Sequence, residues 1–355
     1  MIIRGDRDVV RGTTIACAIA PACVGNIGVG FDLLGHTFYG PADLACVRQQ
    51  AKGVTLSGVH SQLPGMDGIP LDPTLNTAGR AVQAMVDALD LPFGFEIELH
   101  KGISLGSGMG GSAASAVAAV VAANALLDTP LPMVDLYPFA RRGESASTDA
   151  APGDNVGPML LGGLALAPPQ VLRALHVPAD LYCVVLKPGM SIETRRAREV
   201  LVAPYALDVC VTQASHLALL LTGLTHDDFD LIRLGLDDVM IEPRRAHLIP
   251  GFAEIKHTAQ AMGALGASIS GSGPTIFAWF ASRATAARAL DAMKQTAHEH
   301  HAQVETWLSP VAGPAAQLVA PALATQLVND TLLPMNAFAH CSNRGAPLAA
   351  DDVTC

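Results

Sequence analysis

A segment rich in glycine and serine has residue types suited to binding phosphate. Residues 103–124 read ISLGSGMGGSAASAVAAVVAAN, so a glycine loop precedes an almost unbroken run of Ala and Val. A loop that accepts the entropic cost of many glycines usually brings its N–H groups to a ligand. Those N–H groups and the positive end of the next helix would form an anion site. Ser112 would cap that helix or offer its hydroxyl to a cation held by phosphates. Tight packing explains residues 113–123 but not the glycines.

Two familiar nucleotide motifs fit this segment poorly. Gly106 and Gly111 have the spacing of a P-loop, but Ser112 stands where its lysine belongs, and no lysine occurs between residues 102 and 186. Gly106, Gly108 and Gly111 match G-x-G-x-x-G, which in a dinucleotide fold follows a strand that is apolar on both faces. Residues 93–100 instead alternate between apolar and polar. A phosphate loop of another kind is therefore favoured over a dinucleotide site.

Composition argues against a nucleic-acid partner. The 355-residue chain has a formal net charge of −10, and half of its residues are hydrophobic. Nucleic-acid binding needs a basic stripe, whereas the densest basic cluster (Arg195, Arg196, Arg198) is flanked by Glu193 and Glu199. A small-molecule partner is expected instead.

Cysteine usage and the N-terminal sequence predict a cytoplasmic protein without a membrane segment. The seven cysteines are scattered, with no C-x-x-C pair, which favours free thiols in a reducing compartment over a disulfide framework. The charged start MIIRGDRDVVRG lacks the apolar core of a signal peptide. The Ala/Val run after the glycine loop is shorter than the roughly 20 apolar residues that a span needs.

Hydrophobic periodicity predicts strands and helices that mix without clean alternation, which favours an α+β fold over a doubly wound sheet. Strands are predicted at 13–24 (ending at Pro21), within 42–60, at 93–103 as a half-exposed antiparallel strand, at 181–189, in a strand–turn–strand unit at 266–280, and at 303–309. Helices are predicted at 75–91, 113–124, 133–143, 194–202, 208–223, 229–240 and 284–300, while 151–163 reads as a loop. The sequence PPQ at 168–170 is the best candidate domain boundary, and the tail from 311 is expected to be a partly ordered appendage.

The glycine motifs, in this order, resemble the galactokinase–homoserine kinase–mevalonate kinase–phosphomevalonate kinase (GHMP) superfamily. Its signature P-x-x-x-G-L-G-S-S-A-A corresponds to S-L-G-S-G-M-G-G-S-A-A here, with Ser104, Met109 and Gly111 replacing the usual Pro, Leu and first Ser. A second glycine motif follows at Gly271, Ser272 and Gly273. The branch that phosphorylates homoserine is similar in four further motifs: P-A-x-x-x-N-x-G-x-G-F-D-x-L-G from Pro21, D-N-V-x-P-x-L-x-G-G at 154–163, T-x-x-A-R at 194–198 and E-P-x-R-x-x-L-I-P-G-F at 242–252.

This resemblance, which covers roughly residues 13–310, implies a fold and a reaction. The implied fold has an N-terminal ATP-binding domain like the second domain of ribosomal protein S5 (1–168), a ferredoxin-like C-terminal domain (169–310) and a tail of unknown role (311–355). The implied reaction transfers the γ-phosphoryl group of ATP to the hydroxyl of L-homoserine, with Mg²⁺. The oligomeric state is not fixed by the sequence, and a homodimer is compatible with it.

The resemblance also implies roles for individual residues. ATP would be bound by Asn76 near the adenine and by Leu105, Gly106, Ser107, Gly108, Met109, Gly110, Gly111 and Ser112 around the phosphates; helix capping is an equal alternative for Asn76. Mg²⁺, which prefers oxygen ligands, would be held by Ser112 and Glu144. The homoserine carboxylate would meet Arg198 and Arg245, its ammonium Asp32, and its hydroxyl Asn26 and Asn155.

Asn155 stands where related kinases have a catalytic Asp, and an amide cannot accept a proton. The reaction would then depend on Mg²⁺, the loop and alignment, which a loose transition state tolerates, with the phosphate accepting the proton. Asp154 is expected to hold its loop. The family commonly has H-x-D-N where this chain has Pro152-Gly153-Asp154-Asn155, so one substrate contact is lost or replaced. The alternatives are a kinase for another small alcohol (mevalonate or a diphosphocytidyl polyol), a catalytically silent metabolite-sensing relative and, third, a dinucleotide oxidoreductase.

Overall fold

The computed structural model describes residues 15–146 and 151–341, which form strands and helices in mixed order. The strands are β1 (Ile15–Gly25), β2 (Leu34–Gln50), β3 (Val54–Ser61), β4 (Gly94–Lys101), β5 (Leu164–Leu166), β6 (Arg173–Ala174), β7 (Tyr182–Pro188), β8 (Gly266–Ile269), β9 (Ile276–Phe280), β10 (Val304–Pro310) and β11 (Gln317–Val319). The α-helices are α1 (Thr77–Ala88), α2 (Gly111–Ala125), α3 (Tyr137–Glu144), α4 (Val156–Leu161), α5 (Thr194–Glu199), α6 (Leu207–His226), α7 (Phe229–Gly235), α8 (Glu242–Arg245), α9 (Phe252–Ala261), α10 (Arg283–His298), α11 (Pro321–Asn329) and α12 (Phe338–Cys341). The predicted α+β class is confirmed.

The first sheet has the strand order β11-β1-β2-β4-β3, with β5 paired to β2 and β6 to β5. Helix α2 packs on β1, β2 and β4 and also against α1, α3 and α4. Its residues 113–124 are all buried, as expected of a helix that is apolar all round. Alanine side chains allow this close approach, so the helix that follows the glycine loop is a central element of the core.

Two local predictions for this half were wrong, and a third holds only in part. The first strand runs through Pro21 because the pairing with β2 shifts register between Pro21 and Cys23, and an irregular pairing tolerates a residue without an N–H. The prediction that β4 is antiparallel is confirmed for its pairing with β2 and wrong for its pairing with β3, which is parallel. The predicted loop at 151–163 contains helix α4, which starts despite Pro158 because a proline in a first turn needs no intrahelical donor. Residues 13 and 14 of the predicted first strand lie outside the described residues.

The second sheet has the order β10-β7-β9-β8, and all its neighbours are antiparallel. With α10 between β9 and β10, and helices between β7 and β8, the chain follows the β-α-β-β-α-β order of a ferredoxin-like unit. Helices α9 and α10 pack on one face of this sheet around Ile255, Ala289 and Met293. This arrangement confirms the predicted ferredoxin-like unit.

The two sheets share a continuous apolar core. Phe277 and Trp279 of β9 belong to the same buried cluster as the residues beneath the first sheet. The indole N–H of Trp279 donates to Nε2 of His36 at 3.2 Å, and Nδ1 of His36 lies 2.9 Å from the Thr37 carbonyl. Burial lowers the pKa of His36 to about 4, partly offset by the Thr37 carbonyl, so a neutral ring joins the halves.

The segment after residue 310 returns to the first sheet. Strand β11 pairs antiparallel with β1, and α11 and α12 pack beside it, with Leu327 of α11 in the same buried cluster as Ile19 and Leu44. The expectation of a partly ordered appendage is therefore wrong for 317–341, whose apolar residues cover the outer face of β1 and β2. Residues 342–355 of the predicted tail lie outside the described residues.

Cys17 and Cys46 lie directly opposite each other on β1 and β2 and form a disulfide, with their Cα atoms 4.1 Å apart. The prediction that the cysteines are free thiols is wrong for this pair, because strand register places together two residues that are 29 positions apart in the sequence. Cys23, Cys183, Cys210 and Cys341 are free.

Among the described residues, one helix, α6, has the length and the apolar composition that crossing a membrane requires. Its best window has a mean hydropathy of 1.4, and 22% of that window is buried. This criterion alone is weak evidence of a span, because helices of globular domains also meet it.

Candidate active site

A cavity of about 230 Å³ opens beside the glycine loop and is lined by both halves of the chain. Most of the predicted site residues line it: Asn26, Asp32, Leu105, Gly106, Ser107, Gly108, Gly110, Gly111, Ser112, Glu144, Asn155, Arg198, Arg245, Gly271 and Ser272. Three predicted residues are outside this lining: Asn76, Met109 and Gly273. Residues far apart in sequence thus meet at one place.

The phosphate loop, Gly106–Ser112, connects β4 to α2 and is held through its carbonyl groups. The carbonyls of Gly106, Ser107 and Met109 accept backbone N–H groups of Ile192, Thr275 and Cys23 at 2.9–3.2 Å. The Gly108 carbonyl accepts the hydroxyl of Ser270 at 2.7 Å. In the described part of the chain, the N–H groups of Gly108 and Gly110 donate no hydrogen bond. The surrounding structure therefore uses the acceptors of the loop and leaves donors for a ligand.

Left-handed backbone explains why the loop contains glycines. Gly106, Gly108 and Gly110 have φ values of 60°, 80° and 72°, a region that costs other residues about 1–2 kcal/mol. A Cβ at Gly108 would lie 2.5 Å from the Ser270 carbonyl oxygen, so the two glycine motifs approach each other too closely for a side chain. Met109 points the opposite way and is 1% exposed in the core.

Glu144, the last residue of α3, carries a buried carboxylate next to the start of α2. Its Oε2 accepts the Ser112 hydroxyl at 3.1 Å, and the residue is 5% exposed. Burial raises its pKa to about 7, while the Ser112 hydroxyl and the charge of Lys101 lower it. A buried carboxylate beside a hydroxyl offers oxygen donors at the N-terminus of a helix.

Asp154 holds the turn after β1. Its Oδ2 accepts the backbone N–H of Asn26 at 3.1 Å, and its Oδ1 has no partner among the described residues. Burial and the nearby charge of Asp32 raise the pKa of Asp154 to about 7. The amide of Asn155 follows it, and its buried Oδ1 is also without a partner within the described residues.

One side of the cavity carries side-chain charges that contact one another. We call this side the acceptor wall, and it consists of Asn26, Phe31, Asp32, Arg198 and Arg245. Arg198 binds both oxygens of Asp32 through its two terminal nitrogens at 2.8–3.1 Å. Arg245 donates to the carbonyls of Ala197 and Gly271, both at 2.9 Å. Burial and the neighbouring Arg198 lower the pKa of Arg245 to about 10. These two arginines and one carboxylate could receive a zwitterion.

The turn between β1 and β2 shapes this wall through unusual backbone. Asn26 and Asp32 have positive φ values of 70° and 59°, which Asn and Asp tolerate better than most residues. Asn26 Oδ1 accepts the N–H of Asp32 at 3.0 Å, and its Nδ2 donates to the Gly271 carbonyl at 2.8 Å. Asn26 thereby ties this turn to the second glycine motif.

Sequence reasoning assigned no role to four residues that line the cavity: Phe31, Ser104, Pro152 and Thr194. The Phe31 ring lies under both guanidinium groups, 5.5 Å from Arg198 and 5.3 Å from Arg245, so it contributes cation–π contacts. Phe31 and Thr194 belong to motifs already quoted, which could have identified them. Pro152, at the position of the family's histidine, brings an apolar ring to the cavity.

Asn76 caps helix α1 and is 3% exposed. Its Oδ1 accepts the N–H of Ala78 at 3.0 Å, and its Nδ2 donates to the Pro70 carbonyl at 2.9 Å. Both ends of the amide are engaged within the protein, which is the geometry of a helix cap.

Comparisons with known proteins agree with this architecture. Residues 76–163 match the model of the GHMP kinases N terminal domain, and 220–299 match that of the GHMP kinases C terminal domain. A homoserine kinase of Xanthomonas campestris pv. campestris is 48% identical over 311 residues, covering 87% of this chain and 96% of that protein. One from Xylella fastidiosa (strain M12) is 46% identical and covers 86% of this chain and 94% of that protein.

A crystal structure of homoserine kinase from Cytophaga hutchinsonii superposes with a TM-score of 0.81 at 36% sequence identity. The match covers 87% of this chain and 98% of that one. The two-domain arrangement is thus shared along almost the whole of the solved protein. On these matches the chain belongs to the GHMP kinase family.

Proposed function

We propose that this protein transfers the γ-phosphoryl group of ATP to the hydroxyl of L-homoserine, giving O-phospho-L-homoserine for threonine synthesis. The observation that carries the proposal is the meeting, in one cavity, of backbone donors and a charged acceptor wall built from two arginines and an aspartate. Kinase activity follows from the family. The homoserine kinases described above align with this chain over almost their whole length.

Different residues of the chain would bind ATP and the acceptor. The N–H groups of the phosphate loop would receive the triphosphate at the N-terminus of α2, where the helix dipole favours negative charge. Arg198 and Arg245 would bind the homoserine carboxylate, and Asp32 its ammonium group. Because Asp32 and Arg198 already pair, homoserine would insert between groups whose charges are balanced.

Phosphoryl transfer breaks the bond between the γ-phosphorus and its bridging oxygen and forms one to the homoserine hydroxyl oxygen. Asn26 and Asn155 would orient that hydroxyl by hydrogen bonding. The hydroxyl proton would pass to the transferred phosphoryl group, since an amide cannot accept it and a loose transition state tolerates a weak, late base. Asp154 would hold the Asn26 turn through its contact with the Asn26 N–H.

Mg²⁺ fits the residues beside the loop. Glu144 and Ser112 provide a carboxylate and a hydroxyl at the N-terminus of α2, and oxygen donors are what this cation prefers. When bound, Mg²⁺ supplies charge neutralisation for the phosphates.

The test is a coupled assay that follows ADP release with L-homoserine, mevalonate and a diphosphocytidyl polyol as acceptors. Two truncated acceptors sharpen it: 4-hydroxybutyrate lacks the ammonium group and 3-amino-1-propanol lacks the carboxylate. Turnover should be highest with homoserine, and both analogues should have a raised KM. Turnover of another alcohol but not of homoserine would overturn the substrate, and nucleotide binding without any turnover would indicate a metabolite sensor.

We also propose that the protein is cytoplasmic and that it forms a homodimer. The exposed stripe Leu207, Val211, Ala214 and Ala218 on α6 offers an apolar face for a second copy. Light scattering after size exclusion would measure the mass directly. A monomeric mass at micromolar concentration would exclude a stable dimer.

A further inference from the structure

A buried ion pair lies behind the phosphate loop, outside the cavity. Asp43 of β2 is fully buried, and the side chain of Lys101, the last residue of β4, is 3% exposed. The Lys101 ammonium donates to an oxygen of Asp43. Lys101 does not belong to a P-loop and does not line the cavity, so neither the motifs nor the site described above explain it.

The carboxylate of Asp43 binds the strand side of the loop. Its Oδ1 accepts the backbone N–H groups of Gly102 and Ile103, both at 3.1 Å. Its Oδ2 accepts the hydroxyl of Ser115 at 2.8 Å. The residues that lead from β4 into the loop are thereby fixed to β2.

The ammonium of Lys101 binds the helix side of the loop. Besides Asp43, it donates to the carbonyl of Gly111 and to Oγ of Ser115, both at 2.7 Å. Gly111 is the first residue of α2, and Ser115 lies one turn further along. Both ends of the loop therefore meet on one pair of charges.

The energetics of burial argue that this cluster has a purpose beyond stability. Taking two charges out of water costs more than an isolated pair usually returns, and apolar residues of similar volume often stabilise a core as well or better. Here all three ammonium donors and both carboxylate oxygens have partners, which a buried polar cluster needs to hold one geometry. Each partner is a group that determines where the loop begins or ends.

We propose that Asp43, Lys101 and Ser115 form a positioning cluster that fixes the separation of the two ends of the phosphate loop, so that its N–H groups converge on the phosphates of a nucleotide. The inference rests on the proposed function in taking a nucleoside triphosphate as the ligand. The cluster acts through the backbone of residues 102, 103 and 111 and does not touch the ligand.

Four variants of the full chain test the cluster. Lys101→Met leaves a buried carboxylate without its cation, whereas Asp43→Asn combined with Lys101→Met removes both charges. Ser115→Ala keeps the ion pair and removes only the hydroxyl, so it should fold even if the others do not. Lys187→Met is the control, because Lys187 also forms an ammonium–carboxylate pair, with the half-exposed Glu305, but outside the loop and the cavity.

The measurements are the Kd of ADP and of a non-hydrolysable ATP analogue by calorimetry, the melting temperature, and the separate KM values for ATP and homoserine. Lys101→Met should weaken nucleotide binding by about tenfold or more, and Ser115→Ala by about threefold. The KM for homoserine should change little. The double variant should regain melting temperature relative to Lys101→Met without regaining nucleotide affinity, and Lys187→Met should match the wild type in both.

Recovery of nucleotide affinity together with stability in the double variant would overturn the proposal, because a purely structural ion pair behaves in that way. An equal rise in both KM values would also overturn it. Since nucleotide Kd is measured without homoserine, a wild type that binds nucleotide but phosphorylates no homoserine would defeat the proposed function and leave the cluster testable.

Discussion

The phosphate loop and the acceptor wall line the same cavity but are prepared for ligands in different ways. The loop carries no charged side chain, and its donors are backbone N–H groups that remain open because the neighbouring elements bind its carbonyls. The wall depends on side chains whose charges already contact one another, with Arg198 on Asp32 and Arg245 on two carbonyls.

This difference separates two ways of preorganising a site. The loop should be sensitive to anything that changes its backbone shape, because no charged side chain of residues 106–112 would bind the ligand. The wall should be sensitive to charge and to bidentate geometry, because a ligand there gains only the difference between new contacts and those it replaces. Changes in the loop should therefore alter the KM for ATP, and changes in the wall the KM for homoserine.

The largest effect is expected at Glu144, which would hold Mg²⁺ beside the phosphate loop. Glu144→Ala should lower kcat by about a thousandfold or more, because it removes a carboxylate that would hold Mg²⁺, whose charge would stabilise the transferring phosphoryl group. Glu144→Gln is the control, since an amide can keep the Ser112 contact and the buried volume while losing the charge. The melting temperature of the Gln variant should not fall. Near-normal turnover of either variant would separate Glu144 from catalysis.

The next effect sharpens the acceptor side. Arg198→Met should raise the KM for homoserine by about a hundredfold, because the ligand loses a charge-assisted bidentate partner and Asp32 loses its own. Arg198→Lys keeps the charge without the planar guanidinium group, so its KM for homoserine should lie between those of the wild type and Arg198→Met. Initial rates across homoserine and ATP concentrations measure both constants. A comparable rise in the KM for ATP would show that the two sides are not independent.

Backbone shape is tested at Gly108. Gly108→Ala should raise the KM for ATP about tenfold, since the residue has a φ of 80° and its Cβ would press on the Ser270 carbonyl. Gly53→Ala is a matched control with a φ of 75° and nothing within 4 Å of the added atom. Both variants carry the same backbone strain, so a similar loss of ATP affinity in the control would attribute the effect to general destabilisation.

Sequence reasoning predicted these two sides to different depths. The phosphate loop could be located from residues 103–124 alone, because so many glycines before a helix carry an entropic cost that is usually offset by a ligand. What holds its carbonyls could not be predicted, since Cys23, Ile192 and Thr275 are distant in sequence. The Arg198–Asp32 pair, 166 positions apart, also depends on the packed fold.

The errors in the fold have the same physical origin. The Cys17–Cys46 disulfide follows from strand register, which cysteine spacing does not reveal. The ordered segment 317–341 looked like a tail because its alanines and prolines carry little periodic signal, yet it covers an apolar face of the first sheet. Local patterns identified most helices and strands, whereas pairing depended on distant partners.

A smaller effect concerns the pH dependence of stability. The pKa of Asp154 is raised from 3.8 to about 7 in the folded state, so the stability that its protonated form contributes is fully present below pH 3.8 and is lost as the pH rises through 7. Asp154→Asn removes this dependence and should gain melting temperature relative to the wild type as the pH rises from 5 to 8. The lowered pKa of His36 acts in the opposite direction but cancels in the difference between the two proteins. Parallel curves would contradict the raised pKa of the buried Asp154.

The smallest effect tests whether the nucleotide side reaches as far as Asn76. Both ends of its amide are engaged by the backbone, at Ala78 and Pro70, so its first role is to begin helix α1. Asn76→Ala should cost about 1 kcal/mol of stability, while Asn76→Ser keeps a capping oxygen and should cost less. Neither should change the KM for ATP more than about twofold, because a loop held by distant carbonyl contacts does not need this cap. If Asn76→Ser preserves the melting temperature yet raises the KM for ATP several-fold, with the KM for homoserine unchanged, then Asn76 contacts the adenine. The nucleotide side would then also depend on a side chain, and its contrast with the acceptor wall would hold only for the phosphates.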